Sequence, residues 1–427
     1  MKIGFVSAFP PERDGIADYS LYLIKSIEDV SNDCTFYVMA RMLNDKPSVT
    51  SFSKRVMLFR IWRLGSFKDI LKSIVTLTKA IIATKADILH IQYRFTRDQG
   101  GSAGEPFFIL MLIAKRIIRK PKIVVSLHDF WLPREAEQRA YEITKSRVAA
   151  KLYKFYYGAY VRAVLNIPNL IINIVNSRKS PVTESIKKHS KQEVVEVLHG
   201  LPYVGVGAKQ GNGNAYEMTH NQEMFGMRDK FTILLFGFIR KAKGYEYVIK
   251  AVKKVVACQP LMKGRIRLLI AGIPSPPEEQ SYLNYLKELV HKLDLEDVTS
   301  IITKYLNINE INLLFRAADI TVVSYTRRVG PSGVLSRALA YEVPSIITCD
   351  DKYITHSMSL PALTVNLDVD EIASAILKLM TDDDEYNKQI KRIKEYKDIS
   401  SNKGIALLHL KLYEKLFSAS INKRRMR

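Results

Sequence analysis

Residues 322–349 read VVSYTRRVGPSGVLSRALAYEVPSIITC. The stretch is patterned as strand, tight loop, helix, turn and strand. Val322 and Val323 end an apolar run, and Gly330-Pro331-Ser332-Gly333 forms a small-residue loop opening a helix, with Ser332 as N-cap and Gly333 just inside. Leu335, Leu339 and Ala340 recur at helical spacing, Tyr341-Glu342-Val343-Pro344 stops the helix, and Ser345-Ile346-Ile347-Thr348 begins the next strand. Such a helix start leaves backbone N–H groups unpaired and attracts phosphate. Taken alone, the stretch is equally a strand–helix–strand unit that binds nothing.

The rest of the chain repeats this alternation. In the first half, strands are expected over 2–8, 34–40, 87–93, 122–127, 170–175 and 194–198. Helices are expected at 16–27, within 55–85, at 107–118 and from 135 to about 163. Polar groups follow the strands: Asp14-Gly15, His90 and Gln92, His128-Asp129, Asn176-Ser177 and His199-Gly200. In open α/β sheets ligands bind at strand carboxyl ends, so the recurrence says more than any single case. Residues 204–230 are rich in Gly, Asn and Gln and read as a linker. Strands and helices then alternate again from Phe231, with a terminal helix from Gly404 and a basic tail. The expected division is a domain over 1–205, a linker over 206–230, a second domain over 231–403, and a terminal segment over 404–427 that returns to the first domain.

With 427 residues, 47% of them apolar, the chain is long enough for two or three domains and can bury substantial cores. Its 65 Lys and Arg against 43 Asp and Glu, a formal charge of +22, favour an anionic partner. Nucleic acid is disfavoured, because the charge is dispersed and no recognised nucleic-acid motif is present. Cys34, Cys258 and Cys349 form no disulfide or metal pattern, which fits a cytoplasmic setting. The N-terminus reads as a first strand rather than a signal peptide, and no apolar run reaches the about 18 residues a spanning helix needs. The segment 55–85, with Arg55, Arg60, Arg63, Lys68, Lys72 and Lys79 among apolar residues, suggests peripheral contact with the inner face of a membrane.

In this order and spacing the motifs resemble the GT-B glycosyltransferases, specifically the large retaining family four (glycosyltransferase group 1). Pro10-Pro11 followed by Gly15-Ile16-Ala17-Asp18 resembles the family's glycine loop and first helix. DILHIQY at 87–93 and VSLHDF at 125–130 resemble its strand ends, and His199-Gly200 its closing motif. Gly237-Phe238-Ile239-Arg240 with Lys243-Gly244 resembles the phosphate loop, and Ser332-Gly333-Val334-Leu335 the nucleotide-sugar loop. The resemblance implies two Rossmann-like, doubly wound α/β domains facing across a cleft. One departure stands out. Many members carry two glutamates at the last loop with seven residues between them. Those positions fall here on Val329 and Arg337, or on Gly330 and Ala338, depending on the anchor.

The expected chemistry is transfer of a hexose from a GDP- or UDP-linked sugar to a glycan or lipid-linked acceptor, without metal or other cofactor. Arg240 and Lys243 would neutralise the departing diphosphate. Gly237, Ser332, Gly333, Val334 and Leu335 would line the donor site, largely through backbone N–H groups. Gly15 and Ile16 would hold phosphate or acceptor at the first helix start. His128 and Asp129 are the acid/base or sugar-orienting candidates. Tyr325, Arg327 and Arg328 are as consistent with an exposed turn as with donor contact, and Glu342 reads as a surface residue. A sugar-nucleotide epimerase and a catalytically degenerate binding subunit remain as alternatives.

Overall fold

The computed structural model describes residues 1–12, 14–63, 66–94, 105–118, 120–129, 133–175, 181–201, 230–275, 279–326, 332–348 and 361–425. They divide into two compact units, one of Met1–Gly200 with Ser401–Arg427 and one of Leu201–Ser400. Apart from Lys230, the expected linker lies outside the described residues.

The first unit is built on eight strands: β1 (Lys2–Val6), β2 (Thr35–Arg41), β3 (Ser48–Ser53), β4 (Val56–Trp62), β5 (Ile88–Arg94), β6 (Lys122–Asp129), β7 (Leu170–Val175) and β8 (Glu193–Leu198). Their order is β3-β4-β2-β1-β5-β6-β7-β8. Among the described residues only the β3–β4 pair is antiparallel. Helices α1 (Gly15–Val30), α2 (Phe67–Thr84), α3 (Glu105–Ile113), α4 (Pro133–Thr144), α5 (Arg147–Asn166) and α6 (Pro181–His189) connect them. Strand alternation sends side chains to two cores. Val124 packs with Tyr19, Leu23 and Ile24 of α1 and with Ile405, Leu410 and Tyr413 of the terminal helix, Asn402–Arg425. Its neighbours Ile123 and Val125 pack on the opposite face with Leu77 and Ile81 of α2, Leu110 of α3 and Tyr157, Val161 and Val164 of α5.

Two sequence expectations need correction here. The helical reading of 55–85 holds only for α2, where a capping box between Ser66 and Asp69 marks the start. Val56–Trp62 is a strand, with Val56, Leu58, Arg60 and Trp62 buried in alternation. Almost every residue of that strand is apolar, which hid its two-residue period. Arg60 is no surface cation. It donates to the Arg41 carbonyl at 3.0 Å and also to that of Pro10, and burial lowers its pKa. The single helix expected over 135–163 is two, α4 and α5, broken where Lys145 turns left-handed (φ 54°) and Ser146 caps α5. Helix α6 was not anticipated.

The second unit carries β9 (Phe231–Phe236), β10 (Ile266–Ala271), β11 (Thr299–Ile302), β12 (Ile320–Val323), β13 (Ser345–Thr348) and β14 (Leu363–Val365). The order is β11-β10-β9-β12-β13-β14, parallel throughout. Helices α7 (Tyr245–Cys258), α8 (Gln280–Lys292), α9 (Ile308–Ala317), α10 (Gly333–Ala340), α11 (Val369–Thr381) and α12 (Asp383–Ile399) cover it. The terminal helix of the first unit is α13. The strand β14 was not read from sequence. Its three residues are too few to show a period.

Both sheets reverse their winding once. The chain moves outward from β1 through β2, then restarts at β5 on the other side of β1. In the second unit it moves outward through β9, β10 and β11, then restarts at β12 beside β9. The gap beyond the carboxyl ends at such a reversal is where doubly wound sheets bind ligands.

Candidate functional site

In the second unit, the loops after β9 and β12 meet at that reversal. The loop after β9 begins at Gly237, which has φ 111°. Its backbone lies hard against the loop after β10, so that a Cβ on Gly272 would sit 1.9 Å from the Gly237 carbonyl oxygen. The Ile239 N–H continues this pairing, donating to Ile273 O at 2.8 Å. Arg240 then leads a short turn, Lys241–Lys243, which closes at Gly244 with φ 61°. A Cβ at Gly244 would stand 2.3 Å from the Ser324 carbonyl oxygen, so only glycine lets the two loops approach this closely. Ser324 Oγ donates to Lys243 O at 2.8 Å, and Thr326 N–H donates to Ala242 O at 3.1 Å. The two loops are therefore one hydrogen-bonded body.

The side chains on this body converge. Lys243 Nζ donates to the Tyr325 hydroxyl at 2.7 Å, and Nζ also stands 4.2 Å from the centre of the Tyr325 ring. Tyr325 Oη in turn lies 2.9 Å from Ser332 Oγ. Ser332 caps α10, its Oγ accepting from Leu335 N–H at 3.3 Å. The ammonium is thus wired through one phenol to a helix N-terminus, with a positive charge and a positive helix end on the same side of the sheet. Val334 comes close to Gly237: a Cβ there would lie 3.5 Å from Val334 Cγ2 and 3.8 Å from Lys243 Nζ. The Arg240 guanidinium carbon stands 5.0 Å from the Phe238 ring centre. Among the described residues, a Cβ built on Gly333 meets nothing within 4 Å. Leu335 instead is buried in the core with Leu339 and Val323, so it supports the loop by packing.

The structure therefore gathers Gly237, Lys243, Ser332, Val334 and the Arg240 loop around one point. It adds Tyr325, which sequence reasoning left undecided because its neighbours are basic; Arg327 and Arg328 lie outside the described residues. One further expectation changes. Glu342 is buried, not superficial, and its carboxylate meets Lys397 Nζ at 2.6 Å. Of the positions aligned with the family glutamates, Arg337 and Ala338 are buried on α10, while Val329 and Gly330 lie outside the described residues.

The first unit holds the other predicted residues. Asp14 caps α1 and its carboxylate accepts the Ile16 N–H at 2.7 Å. That N–H is already committed, so any anion-binding role at this helix start falls to Gly15, where a Cβ would meet none of the described residues within 4 Å. His128 is buried at the end of β6, with its ring edge-on to Tyr19 of α1 at 4.9 Å between centroids. Its Nε2 lies 2.5 Å from Gln92 Oε1, an acceptor, so the imidazole donates there. The Gln92 amide nitrogen lies 3.3 Å from His90 Nε2, which also meets Ser126 Oγ at 2.7 Å. His90 Nδ1 reaches the Tyr413 hydroxyl of α13 at 2.6 Å. Burial, reinforced by His409 and His128, holds the His90 pKa well below the ordinary histidine value. The proton on His128 is thus fixed by a buried relay, Gln92 to His90 to Tyr413. Sequence reasoning named His128 and placed Gln92 among the polar strand ends without a role, but missed Tyr413; the alternation of His90 and Gln92 along β5 places both on one sheet face. Asp129 pairs in register with Arg94, and its side chain lies outside what is described. Gly200 lets α13 approach closely, since a Cβ there would lie 2.9 Å from Asn402 Oδ1. Among the described residues no cluster of three or more His, Cys, Asp or Glu forms a metal site.

Residues 217–396 match the family described as glycosyl transferases group 1. The mannosylfructose-phosphate synthase of Agrobacterium fabrum (strain C58 / ATCC 33970) is 30% identical over 128 residues, which is 30% of this chain and 27% of that protein. Matches to solved structures extend along the chain. The sucrose-phosphate synthase of Thermosynechococcus elongatus superposes with a TM-score of 0.68 at 15% identity, covering 98% of this chain and 100% of that one. HepE of Anabaena, solved with UDP and glucose, gives 0.67 at 14%, covering 97% and 100%. The UDP-forming α,α-trehalose-phosphate synthase of Burkholderia vietnamiensis gives 0.66 at 11%, covering 98% and 99%. These likenesses establish the GT-B fold of two Rossmann-like units, and residues 217–396, within the second half of the chain, carry the match to the glycosyl transferases group 1 family.

Proposed function

We propose that the chain is a retaining glycosyltransferase that moves a hexose from a nucleotide-sugar donor to a glycan or lipid-linked acceptor. The observation that carries this is the converged loop pair of the second unit, in which Lys243, Tyr325 and the Ser332 helix start surround the reversal point between β9 and β12. A nucleoside diphosphate leaving group needs its developing negative charge met in place. Here Lys243 and Arg240 supply fixed cations and α10 a helix N-terminus, so the reading is of metal-independent transfer. Similar solved structures hold UDP with glucose, which favours a UDP-linked donor over a GDP-linked one.

The side of Gly333 on which a Cβ would meet none of the described residues is where donor sugar or phosphate oxygens would approach the N–H groups of Gly333 and Val334. No glutamate is required for such contacts, which reconciles the loop with the missing pair. His128, oriented by Gln92, serves the sugar or acceptor hydroxyls. In retaining transfer the acceptor attacks the face from which the phosphate departs, and the phosphate takes its proton. The test is a thermal-shift and transfer screen against UDP-, GDP- and ADP-linked sugars. Stabilisation by one nucleotide family and turnover of its sugar supports the reading; absence of any nucleotide or nucleotide-sugar binding overturns it.

A further inference from the structure

Helix α5 is apolar on two opposite sides. Ala150, Tyr157, Val161 and Val164 form the buried side. Half a turn round, Val148, Leu152, Phe155 and Tyr156 are 70%, 66%, 81% and 57% exposed. Their spacing of four, three and one places them on a single solvent-facing stripe, continued by exposed Ala159 and Ala163. Single exposed apolar residues are ordinary, but a stripe in register on one helix marks an interaction surface. A collar of Lys145, Arg147, Lys151 and Arg162, all exposed, surrounds it, and residues 145–166 contain no Asp or Glu.

Helix α2 packs on the same side of the sheet as α5, since both contribute to one core. It also exposes Leu71, Val75 and Ile82 among Lys68, Lys72 and Lys79. One helical layer of the first unit thus turns apolar and cationic side chains outward together.

We infer that the outer stripe of α5 is a docking surface for an anionic lipid membrane, with Leu152 and Phe155 inserting among the acyl chains and the flanking cations meeting lipid phosphates. Charge selects this occupant. A second copy of the chain meeting the same stripe about a two-fold axis would bring two acid-free cationic helices together, whereas an anionic bilayer complements both the apolar strip and its collar. The surface deepens the lipid-linked branch of the transferase reading and rests on that reading only for its purpose.

The test is co-sedimentation of the full-length chain with phosphatidylglycerol/phosphatidylcholine vesicles and with phosphatidylcholine vesicles alone, comparing wild type, the double variant Leu152→Glu/Phe155→Glu, and Leu261→Glu on the second unit. Wild type and Leu261→Glu should bind the anionic vesicles and be released by salt. The double variant should bind about tenfold more weakly or worse, with unchanged melting temperature and unchanged nucleotide-sugar affinity. Failure of wild type to bind anionic vesicles, or equal binding by the double variant, overturns the proposal. So does a wild-type dimer in sedimentation velocity that the double variant converts to monomer. Vesicle binding without any nucleotide-sugar binding would leave the surface standing and remove the transferase reading.

Discussion

Substitutions at Ser332 and Gly333, adjacent in sequence, should separate stability from donor binding. Ser332 Oγ holds two partners, the Leu335 N–H that it caps at 3.3 Å and the Tyr325 hydroxyl at 2.9 Å. Loss of a helix N-cap destabilises by about 1 kcal/mol, and loss of a largely buried hydroxyl partner by about 1 kcal/mol more. Ser332→Ala should therefore lower stability by about 2 kcal/mol, with the helix N–H groups still available to a ligand. Gly333 is the first residue of α10, and a Cβ there meets no atom of the described residues within 4 Å. Replacing a helical glycine gains up to about 1 kcal/mol, so Gly333→Leu should melt at or slightly above the wild-type temperature. Its side chain would fill the space assigned to the donor. Losing charge-assisted contacts worth about 1.5–3 kcal/mol predicts a fall in donor affinity of roughly ten- to a hundredfold. Differential scanning fluorimetry and donor titration on the two variants measure both axes. Equal losses of donor affinity, or a Gly333→Leu protein that unfolds, would refute the backbone-binding account of this loop.

Tyr325→Phe removes the hydroxyl that links Lys243 to Ser332 while keeping the ring beneath the ammonium. It should weaken donor binding by roughly fivefold, as expected for about 1 kcal/mol of lost positioning, and a Kd equal to wild type would show that the link is idle. Acid should destabilise the first unit through its buried histidines. Burial depresses the His409 pKa from 6.5 to about 4. A depressed histidine is neutral in the fold, so its contribution is intact above pH 6.5 and is lost as pH falls from 6.5 towards 4. That amounts to about 2 kcal/mol at pH 5, and urea titrations at pH 7.5 and 5 should show a loss of at least this size that His409→Phe reduces.

The fold was largely legible because strand and helix alternate with short polar punctuation, as at Val322–Thr348, where β12, α10 and β13 fall where capping and periodicity put them. Legibility failed where one signal overrode another. Residues 56–62 are apolar at nearly every position, so their period was hidden, and the buried Arg60 read as a surface charge. The site was legible as loops but not as contacts. Gly237, Lys243 and Ser332 stand far apart in sequence, and the phenol that joins them sits in a basic stretch that reads as an exposed turn. The tie between His90 on β5 and Tyr413 on α13 spans 323 residues and has no local signature at all.

The central claim is that the Lys243–Tyr325–Ser332 body binds the diphosphate of a nucleotide sugar. Isothermal titration of UDP and UDP-glucose into wild type and Lys243→Ala tests it most directly. The account predicts saturable binding to wild type and an affinity at least about tenfold weaker in the variant, with an unchanged melting temperature in the absence of ligand. Binding of equal strength to both proteins would contradict it.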